Sequence, residues 1–144
     1  MTHYARKFAE FGRTTSADDF IDSMAVAGEM YAKLGPILES HNVLVCPTTA
    51  LPAVAADHDS GIARLEVNGL EVDPEWGWLL TYPFNMMSRC PVMSVPSGRA
   101  SNGVPTGIQI VGHTYDDLSV FRAASAYEAA LGGFELPELP ELPD

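Results

Sequence analysis

The chain has 144 residues, of which 47% are hydrophobic and 19% are charged, and its formal net charge at pH 7 is −11. Nucleic-acid binding and attachment to an anionic membrane surface are both disfavoured, because only eight Lys and Arg residues are available to meet phosphates. We expect one domain over residues 1–144, with an irregular N-terminus at 1–15 and an acidic, proline-rich tail at 134–144. Neither a membrane-spanning apolar run nor a secretory leader is visible, which predicts a cytoplasmic protein.

A helix is predicted from about Ser16 to His41. Ser16 can cap it, and Asp19 three residues later completes a pattern like a capping box. Proline cannot donate a helical hydrogen bond, so Gly35-Pro36 should break or kink this helix. Apolar residues recur along it at spacings of four and three and form one stripe: Phe20, Met24, Ala27, Tyr31, Leu34 and Leu38.

The middle of the chain predicts one strand, a hairpin and a second helix. Val43–Cys46 is a wholly apolar run that ends at Pro47, which is typical of a strand covered on both faces. An alternating segment at 63–67 followed by Asn68-Gly69 indicates a small hairpin. Asp73-Pro74-Glu75 then predicts a helix that carries Trp76, Leu79 and Leu80 and ends before Pro83.

Two further strands and a final helix complete the prediction. Val92–Val95 and Ile108–Val111 are apolar runs, and Asn102-Gly103 is the favoured reversal between them. The last helix should begin at Asp116 or Asp117 and end at Gly132-Gly133. Its apolar stripe is predicted to consist of Leu118, Phe121, Ser125 and Leu131. These elements predict an α/β fold whose partial, mixed β-sheet has about three core strands and a possible hairpin and is covered by helices.

Cysteines and histidines show no pattern typical of a cofactor or metal site. Cys46 and Cys90 lie in apolar surroundings, which predicts two reduced, buried thiols, with a disulfide or a Cys-His pair as alternatives. Asp57-His58-Asp59 could begin a metal site, but no second cluster completes the coordination, and a polar loop is preferred. We therefore predict no metal ligands.

The segment from Thr81 to Gly112 resembles the C-terminal signature of the amidase signature family, serine-dependent hydrolases of amide bonds. Ser88, Arg89-Cys90 and Val92 depart from the family's usual residues there. The resemblance implies the C-terminal third of the amidase signature fold, and it implies chemistry without a metal or an organic cofactor. The motifs that carry it are Ser16–Phe20, Val43–Thr49, Tyr82–Asn85, Pro91–Gly98, Val104–Gly112 and the helix from Asp117 to Glu128.

Catalysis in that family depends on a lysine and two serines that belong to an upstream region with a Gly/Ser-rich loop. The only Gly-Gly pair here is Gly132-Gly133 at a helix end, and neither Lys7 nor Lys33 lies in a serine-rich loop. We therefore assign no catalytic residue and predict that the chain is inactive alone. The resemblance also implies a substrate pocket whose lining candidates in this chain are Thr48, Thr49, Tyr82 and Asn85.

Three functions remain open at this point. The chain can be the C-terminal part of an amidohydrolase, one half of a split amidase that a separate triad-bearing chain complements, or a non-catalytic interaction module. A partial sheet with an open edge tends to pair with another chain, so self-association or a missing N-terminal amidase segment is the expected partner. A small-molecule amide is expected to bind only where the full site is assembled.

Overall fold

A computed structural model of the protein describes residues 3–87 and 89–134. The predicted acidic tail lies outside this part of the chain, apart from Phe134. The elements in chain order are α1 (His3–Thr14), α2 (Ala17–Ser40), β1 (Val43–Pro47), β2 (Leu65–Val67), β3 (Leu70–Val72), α3 (Tyr82–Met87), β4 (Val92–Arg99), β5 (Pro105–Gly112) and α4 (Asp117–Leu131).

The core sheet has three strands in the order β1-β5-β4, and β2 and β3 form a separate hairpin. The α/β class and the three core strands are confirmed, and all pairings among the described strands are antiparallel. A bulge between Pro96 and Gly98 interrupts β4, and Gly98 adopts φ 115° there, a conformation that favours glycine. Strand β5 is central in this order, and its second half, from Gln109 to Gly112, is buried.

Helices cover the two faces of the sheet unequally. On one face, Val95 and Ile110 pack against Val120 and Ala124 of α4. The opposite face buries Val111 in a second cluster with Leu34, Leu38, Met87 and Cys90. Strand β1 was predicted to be covered on both faces, but Val45 is 52% exposed, because α4 lies mainly over β4 and β5.

The start of α2 agrees with the sequence, and of the break or kink predicted at Gly35-Pro36, the break does not occur. Ser16 accepts a hydrogen bond from the Asp19 N–H, and the Asp19 carboxylate accepts one from the Ser16 N–H, so the capping box is confirmed. The helix continues through Pro36 to Ser40. Burial of Leu34 and Leu38 on either side of the proline holds this turn against the sheet, which offsets the missing N–H.

The region between residues 73 and 87 differs from its prediction. Asp73 does act as a cap, since its Oδ1 accepts hydrogen bonds from the Glu75 and Trp76 N–H groups at 2.9 Å each, yet turns follow instead of a helix. The helix α3 begins at Tyr82 and contains Pro83, where the sequence predicts a stop. Proline is compatible with a first helical turn, because the N–H groups there have no partner within the helix.

The N-terminal segment predicted to be irregular forms α1, a helix of 12 residues. Tyr4 and Phe8 are four residues apart and therefore lie on one face of the helix, and both rings contact the Trp76 indole. The aromatic pair was the signal for this helix. The pair alone does not predict a helix, because its packing partner Trp76 is far along the chain.

Turns and caps elsewhere agree with the sequence. Asn68 and Gly69 have φ of 52° and 80° and close the β2–β3 hairpin, as a turn with two left-handed residues requires. Gly103 has φ 82° in the turn between β4 and β5. Helix α4 begins after Asp116, whose side chain caps it, and ends at Gly132 in the left-handed conformation.

The apolar stripe predicted for α4 does not lie on the face of the helix that packs against the sheet. Leu118, Phe121 and Leu131 are exposed, whereas Val120 and Ala124 are buried on the sheet. Both faces of this helix are apolar, so the spacing of apolar residues alone could not select the buried one.

Candidate active-site wall

Two segments distant in sequence pair beside the end of β1. The Leu80 N–H donates to the Thr48 carbonyl oxygen at 3.0 Å, and the Ala50 N–H donates to the Trp78 carbonyl oxygen at 2.8 Å. Thr49 and Leu79 form an antiparallel bridge between these two bonds. Residues 48–50 and 78–80 therefore form one short ribbon, which we call the wall.

Thr48 joins the wall to the central strand. Its backbone N–H and its hydroxyl both donate to the Gly107 carbonyl oxygen, at 3.1 Å and 3.0 Å. A Cβ on residue 107 would lie 3.3 Å from the Thr48 Oγ1, so glycine allows this close approach. The hydroxyl is thus used as a structural donor and has a carbonyl, not a base, as its acceptor.

Gln109 is the centre of this arrangement. Its side chain is fully buried, and its Nε2 donates at 2.9 Å to the carbonyl oxygen of Pro47 and at 2.9 Å to that of Leu80. The Oε1 atom is buried without a hydrogen-bond partner among the described residues. A buried polar group normally has such a partner, so this oxygen is an exception to that rule.

The register of the sheet places three polar or polarisable side chains on one face. Cys46 of β1 and Ser94 of β4 are both directly opposite Gln109, so the three residues form one cross-strand row. Burial raises the pKa of the Cys46 thiol, and the neighbouring Gln109 side chain opposes this change. Cys46 and Cys90 are both free thiols, so the alternative of a disulfide is excluded in this structure.

The four predicted pocket residues lie on two segments and have different surroundings. Thr48 and Thr49 lie in the wall itself. Tyr82 is half-buried at the start of α3, and its ring centroid is 5.6 Å from that of Trp76. Asn85 lies on the same helix and is exposed. Their role in lining a substrate pocket stays a prediction.

Sequence reasoning missed the role of Gln109, although the residue belongs to a motif that it used. The available signal was one polar residue between isoleucines in the run Ile108–Val111. A polar side chain inside an apolar strand must find hydrogen-bond partners, but the sequence does not show which backbone groups they are.

Aromatic packing connects the wall region to α1. Trp76 contacts both Tyr82 and Phe8 of α1, and the Lys7 Nζ lies 5.4 Å from the centroid of the Trp76 ring. Lys7 also forms an ion pair with Glu75 at 2.6 Å, and this bond raises the pKa of the Lys7 ammonium. The N-terminal helix is therefore held on the segment that precedes the wall.

Within residues 3–87 and 89–134, no group of three or more His, Cys, Asp or Glu side chains could hold a metal ion. His58, in the loop considered as a metal site, has its Nε2 2.8 Å from the Pro74 carbonyl oxygen. Among the helices of the described part, none has both the length and the apolar character needed to cross a membrane.

Comparison with known proteins supports the resemblance of the motifs. A family model described as Amidase matches residues 3–121. A glutamyl-tRNA(Gln) amidotransferase subunit from Exiguobacterium sibiricum is 34% identical over 105 residues, which are 72% of this chain and 19% of that protein. An acylamidase of Rhodococcus erythropolis is 33% identical over 105 residues, which are 73% of this chain and 21% of that protein.

Solved structures show the same fold. A bacterial aryl acylamidase of the amidase signature family superimposes with a TM-score of 0.74 at 26% identity, over 90% of this chain and 26% of that one. A second structure, an amidase, has a TM-score of 0.77 at 22% identity over 90% of this chain. The chain spans about a fifth of the length of the curated relatives it matches. Since the family model matches most of its residues, the chain belongs to the Amidase family, the amidase signature enzymes.

Proposed function

We propose that this chain forms the C-terminal part of an amidase-signature amidohydrolase, builds one wall of its substrate pocket and does not hydrolyse amides alone. One observation carries the proposal. Gln109, which lies in one of the family's motifs, binds the backbone of Pro47 in another motif and that of Leu80, and the Thr48 hydroxyl of the wall donates to a carbonyl oxygen rather than to a base. In this proposal the wall shapes one side of the site, and the attacking serine belongs to the part of the family fold that this chain does not span.

The parent reaction is acyl transfer from a carboxamide to water. In the family, a serine hydroxyl attacks the amide carbonyl, a second serine and a lysine carry its proton to the leaving nitrogen, and water then releases the acid from the acyl-enzyme. Backbone N–H groups stabilise the negative charge that develops on the carbonyl oxygen. The contribution of this chain is positional: the wall holds Thr49 and the start of α3 at fixed places beside the sheet.

The substrate class that we propose is a carboxamide. The compartment that we propose is the cytoplasm. The named relatives include an acylamidase and part of an amidotransferase, so membership of the family leaves the acyl group and the leaving amine undefined. Two free thiols, Cys46 and Cys90, support a reducing compartment.

The test is a chimera in which this chain replaces the matching region of the Rhodococcus erythropolis acylamidase. Hydrolysis of a chromogenic anilide is measured for the chimera, for the acylamidase lacking that region, and for this chain alone. We expect hydrolysis only from the chimera, and a chimera whose nucleophilic serine is replaced by alanine should be inactive. Amide hydrolysis by the chain alone, abolished by replacing one of its own serines, would contradict the proposal.

A second candidate is a non-catalytic module that pairs through its sheet edges. It is favoured by the position of β1 and β4, which are the outer strands of the described sheet, and by the half-exposed Val45 on β1. A stable homodimer that has no affinity for a triad-bearing amidase segment would favour this module. Restored hydrolysis on mixing the chain with such a segment would favour the split form of the amidase.

A further inference from the structure

The apolar stripe of α2 is buried along only half of its length. Leu34 and Leu38, near the C-terminal end, lie in the core against the sheet. Phe20 and Met24 continue the same stripe toward the N-terminal end and are 62% and 57% exposed. A surface helix normally turns such a stripe toward a core, so the exposed half lacks the surface that would cover it.

The exposed half of the stripe lines a groove shared with α3. The groove has a volume of about 510 Å³, and its apolar lining includes Phe20, Met24 and Tyr31 of α2 and Met86 and Met87 of α3. Met86 is 49% exposed. Flexible methionine side chains adapt to an incoming apolar surface, which suits a contact between protein segments.

We propose that this groove, here called the α2–α3 groove, is the docking site for the portion of the amidase fold that this chain does not span. The inference rests on the proposed function and names the surface through which the two portions meet. Its occupant is an apolar segment of the catalytic portion, whether that portion is on the same polypeptide or on another.

The share of the family fold that lies outside this chain favours this occupant. The chain accounts for 19% to 21% of two curated relatives and 26% of a solved aryl acylamidase, so most of that fold lies outside it. The groove is continuous with the core cluster that contains Leu34, Leu38 and Met87. A segment seated there would extend this existing core.

Charge disfavours a second copy as the occupant. Each chain carries a net charge of −11, so two copies repel one another at low ionic strength. The groove itself contains Arg89 among its lining residues. An apolar segment with a carboxylate that meets this guanidinium is therefore the chemistry that fits best.

The test uses the groove variant Phe20→Ser/Met24→Ser and a matched control, Asp22→Ser/Glu29→Ser. All four residues are exposed on α2, and the control pair lies on the opposite side of the helix from the stripe. Each chain is mixed with the Rhodococcus erythropolis acylamidase lacking its matching region, and binding is measured by calorimetry. We expect the groove variant to bind at least about tenfold more weakly than the wild type and the control to stay within about twofold.

Oxidation by hydrogen peroxide gives an independent measurement of the same contact. Met24 and Met86 should be oxidised in the free chain and protected in the complex. A complex with restored hydrolysis in which both methionines remain reactive, or in which the groove variant binds as tightly as the wild type, overturns the groove and leaves the proposed function intact. A homodimer that the groove variant alone dissociates identifies a second copy as the occupant and overturns the inference. Failure of the separate portions to form any complex overturns the groove, and an inactive chimera overturns the proposed function as well.

Discussion

Gln109 donates a hydrogen bond from its Nε2 to the Leu80 carbonyl oxygen at 2.9 Å and so joins the central strand to a residue 29 positions earlier. The same nitrogen donates to the Pro47 carbonyl oxygen. One buried side chain therefore holds the two backbones that pair as the wall. An interaction of this kind stabilises modestly when present, but its removal leaves buried carbonyl groups without donors.

Replacement of Gln109 by leucine should destabilise the chain. Leucine is close in size but has no donor for the Pro47 and Leu80 carbonyl groups. We expect the free energy of unfolding to fall by about 2–4 kcal/mol, measured by urea denaturation. Hydrogen exchange at the Leu80 and Ala50 N–H groups should accelerate as the wall loosens.

Ser94 supplies the control for this change. It lies opposite Gln109 in the same row of the sheet but is exposed, so Ser94→Ala should alter the free energy of unfolding by less than about 0.5 kcal/mol. Equal losses for the two variants would show that the bonds of Gln109 do not hold the wall.

Two glycines should respond in opposite directions to alanine. A Cβ on Gly112 would lie 2.5 Å from the Val120 Cγ2 and 3.1 Å from the Pro91 Cγ, so Gly112→Ala forces α4 away from the sheet. Overpacking of this kind costs about 1–3 kcal/mol in the free energy of unfolding. Gly28 has open space around its Cβ position within α2, and Gly28→Ala should add about 0.5–1 kcal/mol through helix propensity.

Thermal unfolding followed by circular dichroism distinguishes these two variants directly. The midpoint should fall for Gly112→Ala and rise slightly for Gly28→Ala. A Gly112→Ala variant as stable as the wild type would mean that α4 does not pack on β5 as closely as described.

The face that α4 turns to the sheet can be tested with two neighbouring residues. Val120 is buried and Leu118 is exposed, although the predicted apolar stripe contains Leu118. Val120→Ala should lower the free energy of unfolding by about 1–3 kcal/mol, because it removes two buried methyl groups and leaves a cavity. Leu118→Ala should change it by less than about 0.5 kcal/mol in the isolated chain. A larger loss at Leu118 would mean that the predicted stripe is the packed face after all.

Patterns among residues close in sequence correctly predicted helix ends and the hairpin turn. The Ser16 cap, the Asn68-Gly69 turn and the Gly132 terminus depend on residues within four positions of each other, and all three occur as predicted. The three core strands were also predictable, because short, continuous apolar runs are typical of strands buried in a sheet.

Long-range relationships were not predictable in the same way. Helix α1 depends on Trp76, about 70 residues away, and the buried face of α4 is chosen by the sheet rather than by the helix. The acceptors of the Gln109 side chain are likewise separated from it by 29 and 62 residues. In the candidate site, a motif could identify Thr48 and Thr49 as neighbours in sequence, but only the pairing of residues 48–50 with 78–80 makes them part of a wall.

Acid should destabilise the chain partly through the cap of α4. The Asp116 carboxylate accepts a hydrogen bond from the Ser119 N–H, and hydrogen bonds from Ser119 hold the pKa of this carboxyl below its ordinary value of 3.8. Because the folded-state pKa is lower than the unfolded one, the stabilisation is present above pH 3.8 and is lost as the pH falls through the folded pKa.

Asn caps helices as well as Asp does but does not titrate, so Asp116→Asn should match the wild type at pH 6 and lose less stability between pH 6 and pH 3. Urea denaturation at the two pH values measures this difference. An identical loss in Asp116→Asn and the wild type would show that this cap does not contribute to the acid sensitivity.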